Sequence, residues 1–146
     1  MKISTKGRYG LRAFIDLATY GGNEPVSISS ISVRQNISEG YLEQLMAKLK
    51  KAGLVKSIRG ASGGYMLAKD ISEISVGDVL RALEGNVETV SCLSLHDEVC
   101  EHEQNCMAKY VWKKINDSLT ETIDSIKIDT LVDRSTMKIT EELDNE

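Results

Sequence analysis

The strongest constraint on the fold lies in the first seventy residues. Three apolar stripes of helical period, separated by turn residues, precede two short alternating runs. Thr5 can cap a helix running from about Lys6 to Tyr20. There Tyr9, Ala13, Leu17 and Tyr20 recur at three- and four-residue spacing, and Leu11, Phe14, Ile15 and Ala18 widen the stripe. Gly21-Gly22 ends it, and Pro25 marks a connection. A short helix over about Ser29–Gln35 carries Ile28, Ile31 and Val33, and Asn36 permits a tight turn. Ser38 is then a good N-cap, with Glu39 adding negative charge to the first turn. The next helix, about Glu39–Ala52, aligns Leu42, Leu45, Met46 and Leu49 on one face. Lys48, Lys50 and Lys51 load its C-terminal end, and Gly53 closes it. Helix, short helix, tight turn, third helix is the helix-turn-helix layout.

Two β-type runs follow, Leu54–Ile58 and Tyr65–Ala68, joined by Arg59-Gly60-Ala61-Ser62-Gly63-Gly64. The glycines suit a turn that needs positive φ. An arginine at such a tip, directly after a recognition-type helix, makes the hairpin a wing. The absence of both G-K-[ST] and G-x-G-x-x-G argues against a nucleotide-binding loop. Ser75 caps a further helix, about Val76–Glu84, with Val76, Val79, Leu80 and Leu83 on one face and Gly85 behind it. From about Asn105 to Lys127 a long amphipathic helix carries Met107, Val111, Ile115, Leu119, Ile123 and Ile126, with Tyr110 and Trp112 beside the stripe. Its length of roughly 33 Å exceeds what so small a core covers, so the stripe is expected to meet a second copy of the chain. The expected fold class is therefore mainly α with a small β wing. Residues 1–85 form a winged helix-turn-helix domain, 86–105 a cysteine-bearing loop, 106–133 the dimerisation helix and its end, and 134–146 a polar, frayed tail.

Charge is divided unevenly. Residues 1–67 hold ten Lys/Arg against four acids, a net of +6, whereas residues 68–146 hold eight against eighteen, a net of −10. Such asymmetry points to a basic face that meets a polyanion, on a chain whose total of −4 argues against a general nucleic-acid coat. No apolar run approaches the roughly 18 residues of a membrane span, and the N-terminus lacks the apolar core of a secretory signal, so a cytoplasmic protein is expected. All three cysteines, Cys92, Cys100 and Cys106, crowd into fifteen residues, a pattern of metal or redox chemistry rather than of a disulfide framework. There is no C-x-x-C, no cysteine with a recognisable base, and no Ser/His/Asp set at known spacing, which weighs against an enzyme.

The segments MKISTKGRYGLRA, ISEGYLEQLMAKLKKAGLVKSIRGASGGYMLAKD and SVGDVLRALEG resemble the bacterial Rrf-two-type winged-helix transcription regulators over about residues 1–133. The YLEQL string and the spaced GLVKS, RG and GGY strings are the specific part. The clustered cysteines make the chain similar to the iron–sulfur cluster regulator (IscR-like) branch, and less so to the cysteine-metabolism branch, which is not expected to carry the trio. The resemblance implies a homodimer held by the long C-terminal helix, bound to a quasi-palindromic operator in double-stranded DNA and controlling iron–sulfur cluster assembly genes. The residues fit that geometry: a helix-turn-helix dimer sets two recognition helices into successive major grooves about 34–36 Å apart. Ser38, Tyr41, Glu43 and Gln44 are the candidates to face base edges. Gln44 suits adenine and Glu43 suits a cytosine amino group, although Glu43 also fits an ordinary exposed glutamate. Lys6, Arg8, Lys48 and Lys51 are candidate phosphate contacts, and Arg59, beside Gly60 on the tip, is the candidate for minor-groove insertion.

The cysteines read C-x7-C-x5-C, and thiolates so spaced on a loop can converge on one metal centre. Lys109 stands where the best-known iron–sulfur pattern has a histidine, three residues past the last cysteine, so the fourth ligand is open. His102, His96, Glu101, Glu103 and a residue of the partner subunit are the candidates. Spacing alone does not separate zinc from a [2Fe–2S] cluster; the resemblance favours the cluster. The expected function is operator binding modulated by that cluster. The alternative is the same winged-helix dimer without it, sensing through thiols, zinc or a partner protein, as a cysteine-metabolism or nitric-oxide type repressor.

Overall fold

A computed structural model describes residues 2–88 and 106–133 of the 146-residue chain. Among the described residues, helices and one antiparallel hairpin follow in order: α1 (Thr5–Gly21), α2 (Ile28–Gln35), α3 (Glu39–Lys51), β1 (Val55–Ile58), β2 (Gly64–Leu67), α4 (Val76–Glu84) and α5 (Met107–Ser125), with a last helical stretch over 128–133. A single 3-10 turn, Ile71–Glu73, leads into α4. The architecture is mainly helical with a two-stranded wing, as the sequence pattern predicts.

The core is built from the predicted stripes. Ala13, Phe14 and Leu17 of α1, Ile31 of α2, Leu42, Leu45, Met46 and Leu49 of α3, and Val79, Leu80 and Leu83 of α4 are all buried in one cluster. Asn36 takes the left-handed conformation (φ 54°) that reverses the chain between α2 and α3. The Ser38 hydroxyl accepts the Tyr41 N–H and caps α3 as expected. Ser75 and Asp78 form a reciprocal capping box at the start of α4.

Several expectations are corrected in detail. Helix α1 begins at Thr5, so its N-cap is Ser4, and that side chain makes no capping bond. The cap of α2 is Ser27 and the helix starts at Ile28, while α3 ends at Lys51 with Ala52 as its C-cap. Both strands sit within one residue of their predicted positions, with Val55 paired to Leu67 and Ile58 to Gly64. Tyr20 does not join the core stripe but lies half out in solvent, under the Arg34 guanidinium at 4.2 Å.

The wing is tied to the helix-turn-helix by an extra bridge. Val26 and Tyr65 exchange both backbone hydrogen bonds at 2.9 Å, an isolated antiparallel bridge that ties the α1–α2 connection to β2. Gly64 permits it: its φ is +154°, and a Cβ there would lie 2.2 Å from the Val26 carbonyl oxygen. The long helix is shorter than predicted. It stops at Ser125, Ile126 is extended, and residues 128–133 are helical again. At the break, Val76 N–H donates to Ile126 O (2.8 Å) and Ile128 N–H to Ile74 O (2.9 Å), and Ile128 is fully buried. The C-terminal end of α5 thus belongs to its own subunit's core, with Ile123 buried there and Leu119 packed against it. The stripe is divided, since Met107, Tyr110, Val111, Trp112 and Ile115 remain exposed. The expectation that all of it meets a second copy fails for Ile123.

Candidate nucleic-acid interface

Helix α3 divides into two faces. Its four apolar residues are buried, while Ser38, Glu39, Gly40, Glu43, Gln44, Lys48 and Lys51 are exposed. Glu43 and Gln44 therefore lie on the outward side of the first two turns, where a recognition helix presents side chains to a groove. Lys48 and Lys51 follow on the same exposed surface toward the C-terminus. Lys50 is used differently: its ammonium donates to the Ser57 hydroxyl at 2.9 Å and ties the end of α3 to β1. The wing tip projects Arg59 and Gly60 into solvent, turned by a Gly63 N–H to Gly60 O bond of 3.0 Å.

Tyr41 is half-buried, and its ring meets Tyr9 of α1 edge-to-face, with centroids 6.2 Å apart and planes at 85°. The Arg12 and Arg8 guanidinium groups lie 5.3 and 5.9 Å from the Tyr9 ring centre. The aromatic pair fixes the start of α3 against α1 and gathers cationic charge beside it. Lys6 and Arg8 are exposed on the first turns of α1.

A buried ionic knot sets the angle between α1 and α2. Asp16 is 2% exposed and accepts from Arg34 Nη2 (2.7 Å), Arg34 Nε (2.9 Å) and Gln35 Nε2 (2.9 Å). Hydrogen bonding to Asp16 raises the basicity of Arg34 further, against the opposing effect of burial. Arg12 closes the outer side by donating to the Gln35 carbonyl oxygen. The sequence reading did not single out Asp16, Arg34, Gln35 or Arg12. One signal was available: Asp16 sits among Phe14, Ala13 and Leu17, and a carboxylate inside an apolar stripe requires a partner.

Of the predicted metal ligands, Cys106 alone is described. It is the N-cap of α5, half-buried, outside any disulfide and without a side-chain capping bond. Cys92, Cys100, His96, His102, Glu101 and Glu103 lie outside the described residues. Among the described residues no group of three or more His, Cys, Asp or Glu side chains converges on a point. None of the described helices is long and apolar enough to cross a membrane.

Residues 3–134 match the Rrf2 family, described as an iron-dependent transcriptional regulator. The HTH-type transcriptional regulator CymR of Bacillus subtilis is 47% identical over 131 residues, covering 90% of this chain and 89% of that protein. The chain belongs to the Rrf2 family of transcriptional regulators. A second Rrf2 relative, the regulator IscR of Pectobacterium atrosepticum, is 39% identical over 132 residues, 90% of this chain and 79% of that one. Among solved structures, CymR, the global cysteine regulator of B. subtilis, superposes with a TM-score of 0.75 at 45% identity, covering 92% of this chain and 98% of that chain. IscR of T. potens superposes with a TM-score of 0.72 at 46% identity, covering 92% and 88%. This Rrf2 protein is a DNA-binding transcription regulator. Its relatives are regulators, in line with the expectation that it is not an enzyme.

Proposed function

We propose that this Rrf2 regulator acts as a homodimer on a quasi-palindromic operator. Glu43 and Gln44 read base edges, Lys6, Arg8, Lys48 and Lys51 hold phosphates, and Arg59 with Gly60 enters the minor groove. Ser38 contributes by capping the helix that presents them. The observation that carries this is the outward polar face of α3, flanked by an Arg-bearing wing whose base is bonded to the α1–α2 connection. The exposed Tyr110, Val111, Trp112 and Ile115 on α5 support a second copy as the partner of that helix. Gln44→Ala should cost about 1–3 kcal/mol of discrimination at one base position per half-site, and Arg59→Ala should weaken binding. Unaltered footprints and affinities for both variants would reject the assigned surface.

We further propose that operator binding responds to a [2Fe–2S] cluster held by Cys92, Cys100 and Cys106 with one non-cysteine ligand. Cys106 fits this role, since its sulfur is neither in a disulfide nor engaged as a cap. Three thiolates form a soft donor set suited to iron–sulfur or zinc. His102, His96, Glu101 and Glu103 are the candidates for the fourth position. When bound, the cluster supplies redox- and oxygen-sensitive chemistry. The chain contributes the ligands and joins them, through Cys106, to the start of α5. Anaerobically purified protein should carry iron, acid-labile sulfide and a visible chromophore, and Ala at any one of the three cysteines should abolish all three signals. One zinc per subunit without sulfide rejects the cluster. The similarity to a cysteine regulator favours, as second reading, the same dimer sensing through thiols or a partner protein. That reading predicts a colourless protein whose operator affinity follows cysteine oxidation.

A further inference from the structure

Helix α1 is capped by a carboxylate from another helix. The N-cap Ser4 makes no capping bond of its own, yet Ser4 N–H (2.9 Å), Ser4 Oγ–H (2.5 Å) and Gly7 N–H (3.0 Å) all donate to Oε1 of Glu84, the last residue of α4. An anion at that end also complements the helix dipole. The approach is close because of two glycines. A Cβ at Gly7 would lie 2.4 Å from Glu84 Oε1, and one at Gly10 would lie 2.3 Å from Leu83 Cδ1. The last turn of α4 is thereby seated in the first two turns of α1. Those turns carry Lys6 and Arg8, both exposed and both assigned above to phosphate. On its other side, Glu84 is followed by Gly85, which turns the chain at φ 83°, and then by the segment that leads to Cys92. Asn86, Val87 and Glu88 of that segment line a cavity of about 90 Å³ together with Lys2, Ile3 and Glu84 itself.

We infer that Glu84 is a positioning residue. It holds the first turn of α1 where Lys6 and Arg8 reach DNA phosphates, and it is the joint through which the segment after α4 acts on that turn. The second role rests on the proposal that this segment senses; the first does not. Coupling of this kind extends only as far as the segment's two states differ in how they set Glu84.

The test measures operator affinity across salt concentration for wild type, Glu84→Ala, the pair Lys6→Ala/Arg8→Ala, and all three substitutions together. Each lost phosphate contact lowers the slope of log K against log salt by about 0.9, so Glu84→Ala should flatten it by about 2 per protomer. Adding the Lys6 and Arg8 truncations should then change affinity less than about twofold, because residues acting through one another are not additive. Glu84→Gln, which keeps the accepting oxygen, should retain the wild-type slope; a general loss of stability lowers apparent affinity but leaves the slope, which counts phosphate contacts, unchanged. Should Glu84→Ala fail to fold, Glu84→Asp, one methylene short, carries the same comparison. Additive losses, or an unchanged slope in Glu84→Ala, overturn the positioning role. For the joint, Cys92→Ser should alter operator affinity in the wild-type background and not in Glu84→Ala. An effect of equal size in both backgrounds overturns it. If Cys92→Ser changes nothing in the wild-type background, the sensing proposal fails and takes the joint with it, while the salt series still decides the positioning role.

Discussion

Removing either half of the Asp16–Arg34 pair should destabilise the fold, by different amounts. The Asp16 side chain is fully buried, whereas the Arg34 side chain is 30% exposed. Breaking a buried pair by deleting one partner costs about 3–5 kcal/mol, because the other charge is left without its partner. In Asp16→Ala the stranded group is the guanidinium, which already touches solvent and stays stacked on Tyr20. That loss should fall below the range, at about 2–3 kcal/mol. In Arg34→Ala the stranded group is a carboxylate with no water access and only Gln35 as donor, so the loss should reach about 4–5 kcal/mol at neutral pH.

Urea unfolding at neutral pH, at fixed protomer concentration, reads both losses. The joint variant Asp16→Leu/Arg34→Met should recover most of the stability, as apolar replacements of buried pairs commonly do. Equal losses for the two single variants would refute the reasoning.

Gly64→Ala should force β2 away from Val26 and break the paired hydrogen bonds of the bridge, lowering stability by roughly 2–4 kcal/mol from strain and lost bonds, read as a fall in Tm. Ile115→Glu alters an exposed position on α5, so the fold should survive while sedimentation shows monomers; a dimer of normal stability would place the interface elsewhere. Although burial pulls it upward, Asp78 has a pKa held below its ordinary value of 3.8 by hydrogen bonds from Ser75 and by nearby Arg81. Its contribution is therefore present above that value and lost as pH falls through the lower folded one. The stability gap between wild type and Asp78→Ala should accordingly close in acid and stay constant above about pH 5.

Local chemistry made the helix-turn-helix and the wing legible. The Ser38 cap, the Asn36 turn, the α3 stripe and the Gly53 stop each depend on neighbours within a few residues, and the structure reproduces them within one residue. The exposed positions of Glu43, Gln44 and Lys48 follow from helical periodicity, and that of Arg59 from the glycine-rich turn it opens. What escaped were contacts between distant residues. Asp16 reaches Arg34 eighteen positions away, and Glu84 reaches Ser4 across eighty. Periodicity places Tyr41 on a helix surface, but only the packing of α1 shows that Tyr9 covers one side of it. Lys50 looked like its neighbours Lys48 and Lys51 until the wing folded back and offered Ser57.

The long C-terminal stripe shows a deeper limit of the same kind. Val111, Ile115, Leu119 and Ile123 have identical spacing and similar apolarity, so periodicity assigns them one fate. Their fates diverge because the chain after Ser125 returns to bond Ile74 and Val76, and this return draws the end of α5 onto α4. Asp124 then pairs with Arg81, and Gly77 leaves the space for it, since a Cβ there would collide with the Asp124 carboxylate. The exposed turns of α5, which follow Cys106, are thus carried on an arm anchored to α4 at its far end.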